Sequence, residues 1–399
     1  MKNYNILQKL CKRIFYVGFG NLWFENGVLG DENSIPYRIY FYISFSLYGF
    51  LTLLEVMAAL FADFPEDEKR DSVTFSVAHT IVMIKMFSII VNKKNIKKLI
   101  SDIIAVCETH EEESLMNEKY KVMKINVIAY FFTCYSSAAC FVFEGLRKMY
   151  EGNHFVTVVT YYPAFEDNSA MATATRFITT IILFIMLMAM IISVDGFTMV
   201  ILIMFKYKLI TLRNYFDKLR KDTEILHQSS DPQLAVNHLV NGLIKGIIMH
   251  KELLRILKEI DKAFGTVVAL QLCQSSGGAV SLLLGIALSD QLTLVAIMKI
   301  IFFVVALFFL LGLFLCNAGE ITYQASLLSE SIFYCGWHTC SLENSRGRNI
   351  RRIVLHACIQ AQRPLVMKAF KMIELTYGTF LWVLRGTYSV FALFYAQNK

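Results

Sequence analysis

The chain has 399 residues, of which 56% are apolar, and its formal net charge is +7. A soluble globular chain carries about 45–50% apolar residues, and here long apolar runs recur along the whole sequence. The composition therefore excludes an ordinary soluble protein and predicts an all-α polytopic membrane protein. The first basic residues are not followed by a sustained apolar core, so we expect no cleavable signal peptide.

Seven runs of about 18 or more mostly apolar residues are predicted to be transmembrane helices, because that length spans a bilayer. In chain order they lie near 37–61, 73–91, 125–146, 173–205, 263–289, 293–317 and 373–396. All 5 prolines lie outside these runs. The helices are therefore expected to be free of proline kinks.

Basic residues are concentrated on one side of the predicted bundle. Of the 39 Lys and Arg residues, 29 lie in the N-terminal tail, the 92–124 and 206–262 loops and the 318–372 segment, and 6 lie on the other side. Because Lys and Arg favour cytoplasmic loops, this distribution predicts a cytoplasmic N-terminus. Seven spans then predict an extracellular C-terminus.

The predicted cytoplasmic segments also have apolar residues at helical spacing. "LAVNHLVNGLIKGIIMHKELLRILKEI" is typical of a cytoplasmic extension of the fifth helix, and "YQASLLSESIFYCGWHTC" and "RNIRRIVLHACIQAQRP" predict two amphipathic helices. We expect the apolar faces of these helices to pack against other subunits and form an anchor between them. The alternative is that the faces fold back on their own chain. We therefore divide the chain into 1–205 (tail and helices 1–4), 206–372 (helices 5–6 and anchor) and 373–399 (last helix and extracellular tail).

Charged residues inside the predicted spans require explanation, because a charge at the bilayer centre costs about 2.5–3.5 kcal/mol on insertion scales. The candidates are Glu55, Lys85, Glu144, Asp195 and Arg385. Lys85 and Glu144 lie near span ends, where the side chain is expected to extend to the interface. Asp195 lies well inside the fourth span, so we expect it to pair with a donor and hold the helices in register.

Enzyme and transporter signals are weak. The 9 cysteines form no CxxC or His/Cys cluster, so no metal, cofactor or disulfide framework is expected. The spans lack converging titratable residues and the sequence lacks HExxH, GxSxG and Walker motifs, so we expect no enzyme. The glycine-rich stretch "CQSSGGAVSLLLG" has no counterpart in another span, unlike the repeats of transporters; we expect Gly277 and Gly278 to allow close helix packing.

The C-terminal part of the sequence carries a family resemblance. "GEITYQASLLSESIFYCGWH", "RRIVLHACIQAQRPLVMKAF" and the final "GTYSVFALF" resemble the insect odorant receptor family, most strongly at Gly319–Glu320 and at Tyr334-x-x-Trp337. Elsewhere the resemblance is one of topology. The 206–262 segment is shorter than in the family's shared co-receptor, so the resemblance implies an odour-specific subunit.

This resemblance implies an odorant-gated, non-selective cation channel in the plasma membrane of a sensory-neuron dendrite. The implied partners are the co-receptor in a heterotetramer, a small volatile odorant and membrane lipid, with no nucleic acid; a homotetramer stays open. The last helix is implied to line the pore, with gate residues Val390, Phe391, Phe394 and Tyr395. A gustatory-type channel of the same superfamily and a secondary transporter remain alternatives.

The odorant site is expected to be an apolar cavity with few polar groups. Its implied walls are the outer halves of helices two, three, four and six. Residues there with suitable side chains are His79, Met83, Tyr135, Ser137, Phe141, Phe177, Thr180, Phe184 and Phe303. Of these, His79 or Thr180 would donate a hydrogen bond to the ligand. Ordinary helix packing is the alternative role for each of them.

Overall fold

The structure is a computed structural model, and it describes most of the chain. The described residues are 4–25, 27–64, 66–150, 160–163, 167, 169–228, 232–288, 294–339, 345–370 and 372–397. The predicted span ends at 289 and 293 lie outside these residues, as do the last two residues of the C-terminal tail.

The described residues are mostly helical, which confirms the all-α prediction. The helices, in chain order, are α1 (Asn5–Val17), α2 (Ile35–Phe61), α3 (Glu66–Val91), α4 (Lys93–Ala105), α5 (Glu113–Tyr150), α6 (Ala170–Gln228), α7 (Pro232–Leu288), α8 (Leu294–Ser326), α9 (Leu328–Phe333), α10 (Ser345–Ala361) and α11 (Tyr377–Gln397). Short 3₁₀ turns lie at Glu108–His110 and Trp337–Thr339. Strands β1 (Lys368–Ala369) and β2 (Ile373–Glu374) form an antiparallel hairpin just before α11.

Six helices of the described chain are long and apolar enough to cross a membrane: α2, α3, α5, α6, α7 and α8. They coincide with the first six predicted spans. The last helix, α11, has 21 residues, but it carries Arg385 and several hydroxyl side chains and is not among them. The prediction of seven spans is therefore not confirmed; six spans are supported.

Two helices are much longer than a bilayer requires. Helix α6 has 59 residues and α7 has 57, so each is about 85–90 Å long, whereas the hydrocarbon core is about 30 Å thick. The continuous α7 confirms the predicted helical extension of the fifth span. The matching extension of α6 to Gln228 was not predicted. The proposed domain boundary at 205 falls inside this continuous helix.

Helix ends follow local sequence signals. Gly18 ends α1 in a left-handed conformation (φ +99°), and its backbone N–H donates to the carbonyls of Ile14 and Phe15. Pro36 and Pro232 lie in the first turns of α2 and α7, where a missing backbone N–H costs no helical hydrogen bond.

Helix α6 is at the centre of the bundle and packs against α1, α3, α5, α7 and α8. Every residue from Ile192 to Phe205 is buried. A helix that is buried on all sides must be apolar all round, which explains the unbroken apolar run. The one charged residue in this run is Asp195, and its surroundings define the candidate site.

Candidate functional site

A cavity of about 70 Å³ lies between α3, α5, α6, α7 and α8, beside the central part of α6. Its walls are mostly aromatic and aliphatic side chains, among them Phe75, Phe141, Phe184, Leu187, Phe303, Leu307 and Leu310. The walls therefore suit a small apolar molecule.

The phenyl rings on one side of the cavity pack edge to face. The Phe141 ring lies 5.0 Å from that of Phe75, at an interplanar angle of 76°, and 5.1 Å from that of Phe303, at 87°. Aromatic pairs favour this geometry. Three helices, α3, α5 and α8, are thereby held together through one buried ring.

The other side of the cavity is polar. Lys85 Nζ donates to Asp195 Oδ1 and Oδ2, at 3.1 and 3.0 Å, and to Gln271 Oε1 at 2.5 Å. The Tyr130 hydroxyl donates to Asp195 Oδ2 at 2.9 Å. This polar network, defined as Lys85, Tyr130, Asp195 and Gln271, joins α3, α5, α6 and α7. It neutralises the charge of Asp195 within the bundle.

The prediction that Lys85 extends to the membrane interface is wrong. Its side chain is 1% exposed and forms an ion pair with Asp195, which is equally buried. Lys85 lies on the face of α3 that packs against the central helix, so its ammonium group reaches a carboxylate more readily than it reaches water. A pair of opposite charges avoids the cost of two isolated charges in an apolar bundle.

A second buried ion pair lies beside the cavity. Lys299 Nζ is 2.7 Å from Asp71 Oδ2 and 5.0 Å from the centre of the Phe141 ring. On α5, one turn beyond Phe141, Glu144 pairs with Arg147 at 2.9 Å. These charges lie near the starts of α3 and α8 and the end of α5. They mark the end of the bundle opposite α1.

The cavity brings together four of the nine side chains predicted to contact a ligand: Ser137, Phe141, Phe184 and Phe303. Tyr130, Gln271 and Gln274 also line it but were not predicted. The sequence did contain a signal for the two glutamines: they lie one turn apart in the apolar run of α7, where a polar side chain requires a partner or a function.

The other five predicted ligand residues lie outside the cavity lining. His79 is fully buried between α2 and α3, with Nδ1 2.5 Å from Glu55 Oε2. The exposed Tyr135 accepts a hydrogen bond from Arg13 of α1. The remaining three are Met83, which packs half-buried on the core, Phe177, which is exposed, and Thr180, which is buried.

A second, larger cavity adjoins the first. It has a volume of about 280 Å³ and lies between α3, α7 and α8. The two cavities share Ala78, Gln274, Phe303 and Leu307. We call the larger one the side cavity, because exposed residues such as Val77 and Gly277 line it at the bundle surface.

The predicted gate residues lie on α11, where only Val383 and Thr387 are buried. The Phe391 and Tyr395 rings are stacked with centres 6.0 Å apart. Val390 and Phe394 are exposed. Helix α11 packs against α7 and α8, and most of its surface is left uncovered by this chain.

The motif at Gly319–Glu320 connects α8 to α11. Tyr377 donates a hydrogen bond to Glu320 Oε1 at 2.6 Å. A Cβ atom at Gly319 would lie 3.1 Å from the Tyr377 ring. The small residue therefore allows α11 to begin directly against α8.

The fold and the cavity define the protein as a multi-pass helical membrane protein with an internal cavity whose walls suit a small apolar molecule. The profile of one family, described as 7tm Odorant receptor, matches residues 68–388. The chain therefore belongs to the 7tm odorant receptor family. Odorant receptors are not enzymes, which confirms the prediction on that point.

Two solved structures are similar in fold. One is the insect olfactory receptor OR5 from Machilis hrabei, with a TM-score of 0.79, 13% identity, and coverage of 98% of this chain and 99% of OR5. The other is the same receptor in complex with eugenol, with a TM-score of 0.81, 13% identity and full coverage of both chains. At this identity the similarity establishes the fold alone. A search of curated protein sequences found no match.

Proposed function

We propose that this chain is the odour-specific subunit of an odorant-gated, non-selective cation channel, and that the cavity beside α6 is its ligand site. The observation that carries the proposal is the apolar cavity inside the helix bundle, walled by Phe141, Phe184 and Phe303, in a chain of the odorant receptor family. The OR5 structure in complex with eugenol is consistent with ligand binding in this fold.

The size of the cavity supports a mechanism in which the ligand selects an expanded state. An engineered cavity of roughly 150 Å³ holds benzene, whereas this one has a volume of about 70 Å³. A ligand of that size therefore fits inside this cavity alone only when the helices or side chains around it move apart. A ligand that binds the expanded state better shifts the population towards that state.

Helix α8 links the cavity to the last helix. It contributes Phe303, Leu307 and Leu310 to the cavity, and further along it packs Gly312 against Phe380 of α11. A displacement of α8 by the ligand is thereby transmitted to α11. We propose that this contact couples ligand binding to the pore.

In the proposed assembly, four subunits meet at α11. The uncovered surface of α11 supports this, since Trp382 and Tyr388 are 68% and 69% exposed in the single chain. Val390, Phe391, Phe394 and Tyr395 would then line or border the pore, where apolar rings can gate by dewetting. The proposed partner is the family's co-receptor, with a homotetramer as the alternative.

The proposed location is the plasma membrane of a sensory dendrite, with the N-terminus in the cytoplasm and α11 as a seventh span. Its support is the distribution of Lys and Arg along the sequence. The long parts of α6 and α7 beyond the bilayer, with α9 and α10, would form the intersubunit anchor. The family match favours this receptor function over the gustatory and transporter alternatives.

The direct test is to express the chain with and without the co-receptor and to screen volatiles for evoked cation current. We expect current with both subunits present. A chain that reaches the surface with the co-receptor but conducts under none of a broad panel of volatiles would contradict the proposal. Current from the chain alone would instead support the homotetramer.

A further inference from the structure

Most polar side chains that line the cavity already have hydrogen-bond partners. Tyr130, Asp195 and Gln271 belong to the polar network with Lys85. Thr133 donates to a backbone carbonyl of its own helix at 2.9 Å. None of these groups needs a ligand to satisfy it.

Two polar atoms of the cavity lining differ from these. Ser137 Oγ and Gln274 Oε1 are enclosed, and neither has a hydrogen-bond partner among the described residues. Buried polar groups in folded proteins are almost always paired, because an unpaired one loses its bonds to water without replacement. A pair of unsatisfied atoms in one cavity therefore indicates a polar group on the ligand.

The Ser137 hydroxyl is unusual for its position in a helix. Serine and threonine within helices commonly donate to the carbonyl four residues earlier, as Thr80, Thr133 and Ser193 do here. Ser137 makes no such bond. Its hydroxyl is therefore available to the cavity, both to donate and to accept.

Gln274 occupies the wall that separates the cavity from the side cavity, since it lines both. A ligand group that bonds to Gln274 is therefore held between an apolar space on α5 and α6 and another on α3 and α8. The apolar body of the ligand can extend into either space. One polar group is thus fixed while the carbon skeleton can vary.

The charges around the cavity favour a neutral ligand. Lys85 and Asp195 neutralise each other within hydrogen-bond distance. A charged ligand would lose its hydration and find no free counter-ion among the described residues that line the cavity. An ionised acid or amine is therefore disfavoured.

We propose that the cavity recognises a neutral, largely apolar molecule through one hydroxyl group, as in an alcohol or a phenol. The hydroxyl donates to Gln274 Oε1 and accepts from Ser137 Oγ. A carbonyl or ether oxygen accepts only, so it would leave Gln274 Oε1 unpaired. This inference rests on the proposed function of the cavity as the ligand site.

The test uses probe sets matched in shape, each made of an alcohol, its aldehyde and the hydrocarbon that has a methyl group in place of the hydroxyl. One set is 2-phenylethanol, phenylacetaldehyde and propylbenzene; further sets have linear, branched and cyclic skeletons. Half-maximal concentrations for evoked current are measured with the co-receptor present. We compare the wild-type protein with Gln274→Met and Ser137→Ala. The control variant is Gln233→Met, because Gln233 is an exposed glutamine at the far end of α7.

For each probe set that evokes current, we expect the alcohol to act at a lower concentration than the aldehyde and at about a tenfold lower concentration than the hydrocarbon. The ratio of the half-maximal concentration of the hydrocarbon to that of the alcohol should fall to within about twofold in Gln274→Met. Ser137→Ala should reduce this ratio partly, and Gln233→Met should leave it unchanged. Because the ratio is taken within each variant, differences in expression cancel.

The outcomes separate the two proposals. If volatiles evoke current but alcohols are not preferred, or if the preference persists in Gln274→Met, the hydroxyl inference is wrong and the proposed function stands. If no probe evokes current from Gln274→Met, the thermal stabilisation of this variant by each probe is measured instead. An alcohol that still stabilises Gln274→Met more than its hydrocarbon does also overturns the hydroxyl inference. If no probe evokes current or stabilises the wild-type protein, the proposed function itself fails.

Discussion

Lys85 and Asp195 show what a single charged residue requires inside an apolar bundle. The ammonium group makes bonds to α6 and α7, and the carboxylate accepts a further bond from Tyr130 of α5. Loss of one partner of such a buried ion pair strongly lowers the stability of the fold, whereas replacement of both partners lowers it much less. The pair is therefore expected to act as a structural link between helices.

Replacement of Lys85 alone tests this role. Lys85→Met leaves the Asp195 carboxylate without its counter-ion, and we expect a loss of about 3–5 kcal/mol of folding free energy, seen as low surface expression and a lower melting temperature. Adding Asp195→Asn removes the charge but keeps an acceptor for Tyr130, so the double variant should recover much of the loss. Lys98→Met, at an exposed position of α4, is the control. Wild-type melting of Lys85→Met would show that the pair is dispensable.

The cavity walls are expected to determine which volatiles act. Ser137→Leu reduces the cavity and Phe184→Ala enlarges it, so both should change the set of volatiles that evoke current. Because removal of a buried phenylalanine costs about 3–5 kcal/mol, surface expression must be measured in parallel. Phe132→Ala, at a side chain that is 72% exposed, is the matched control. Unchanged tuning in well-expressed cavity variants would place the ligand elsewhere.

At the scale of the element, the contact between α8 and α11 is close enough to be disturbed by one methyl group. A Cβ atom at Gly312 would lie 3.3 Å from the Phe380 ring, so in Gly312→Ala the Phe380 ring has to shift by a few tenths of an ångström and the contact between α8 and α11 changes. We expect a smaller maximal current, with ligand-induced stabilisation retained. Gly378→Ala is the control, because its nearest contact at 3.5 Å is ordinary. Equal currents in both variants would argue against coupling through this contact.

The last helix is tested separately. If Phe391 and Tyr395 face the pore, Phe391→Ser should wet an apolar constriction and raise current without odorant or alter ion preference. Tyr395→Cys should make evoked current sensitive to a small charged thiol reagent added outside. Cys273 and Cys316 are exposed in the single chain, so both need replacing in the parent. Normal conduction without leak or block in both variants would place the pore on another helix.

For the whole molecule, orientation in the membrane is the property on which the pore proposal depends. The excess of Lys and Arg on one side predicts that a tag before Met1 is inaccessible to antibody on intact cells and that a tag after Lys399 is accessible. Permeabilised cells give the control for tag integrity. Equal accessibility of the two tags, whether both or neither, would indicate an even number of spans, and α11 would then not cross the membrane.

Much of the architecture could be predicted because its signals are local. An apolar run long enough for a bilayer predicts a helix whatever its neighbours are, and α2, α3, α5, α6, α7 and α8 lie where those runs lie. The extension of α7 followed from helical periodicity in the same way. The motif at Gly319–Glu320 was recognisable, although its contact with Tyr377 was not.

The site could be predicted only in part, because it depends on how the helices are rotated against each other. Ser137, Phe141, Phe184 and Phe303 line one cavity, whereas Tyr135, two residues from Ser137, lies on another face of α5 and contacts Arg13 of α1. Length and apolar periodicity thus determined, from the sequence alone, that this protein is a bundle of long membrane helices. Only the tertiary structure decided that Lys85 meets Asp195 and that Gln274 faces a cavity, because a contact or a gap between helices depends on side chains far apart in the chain.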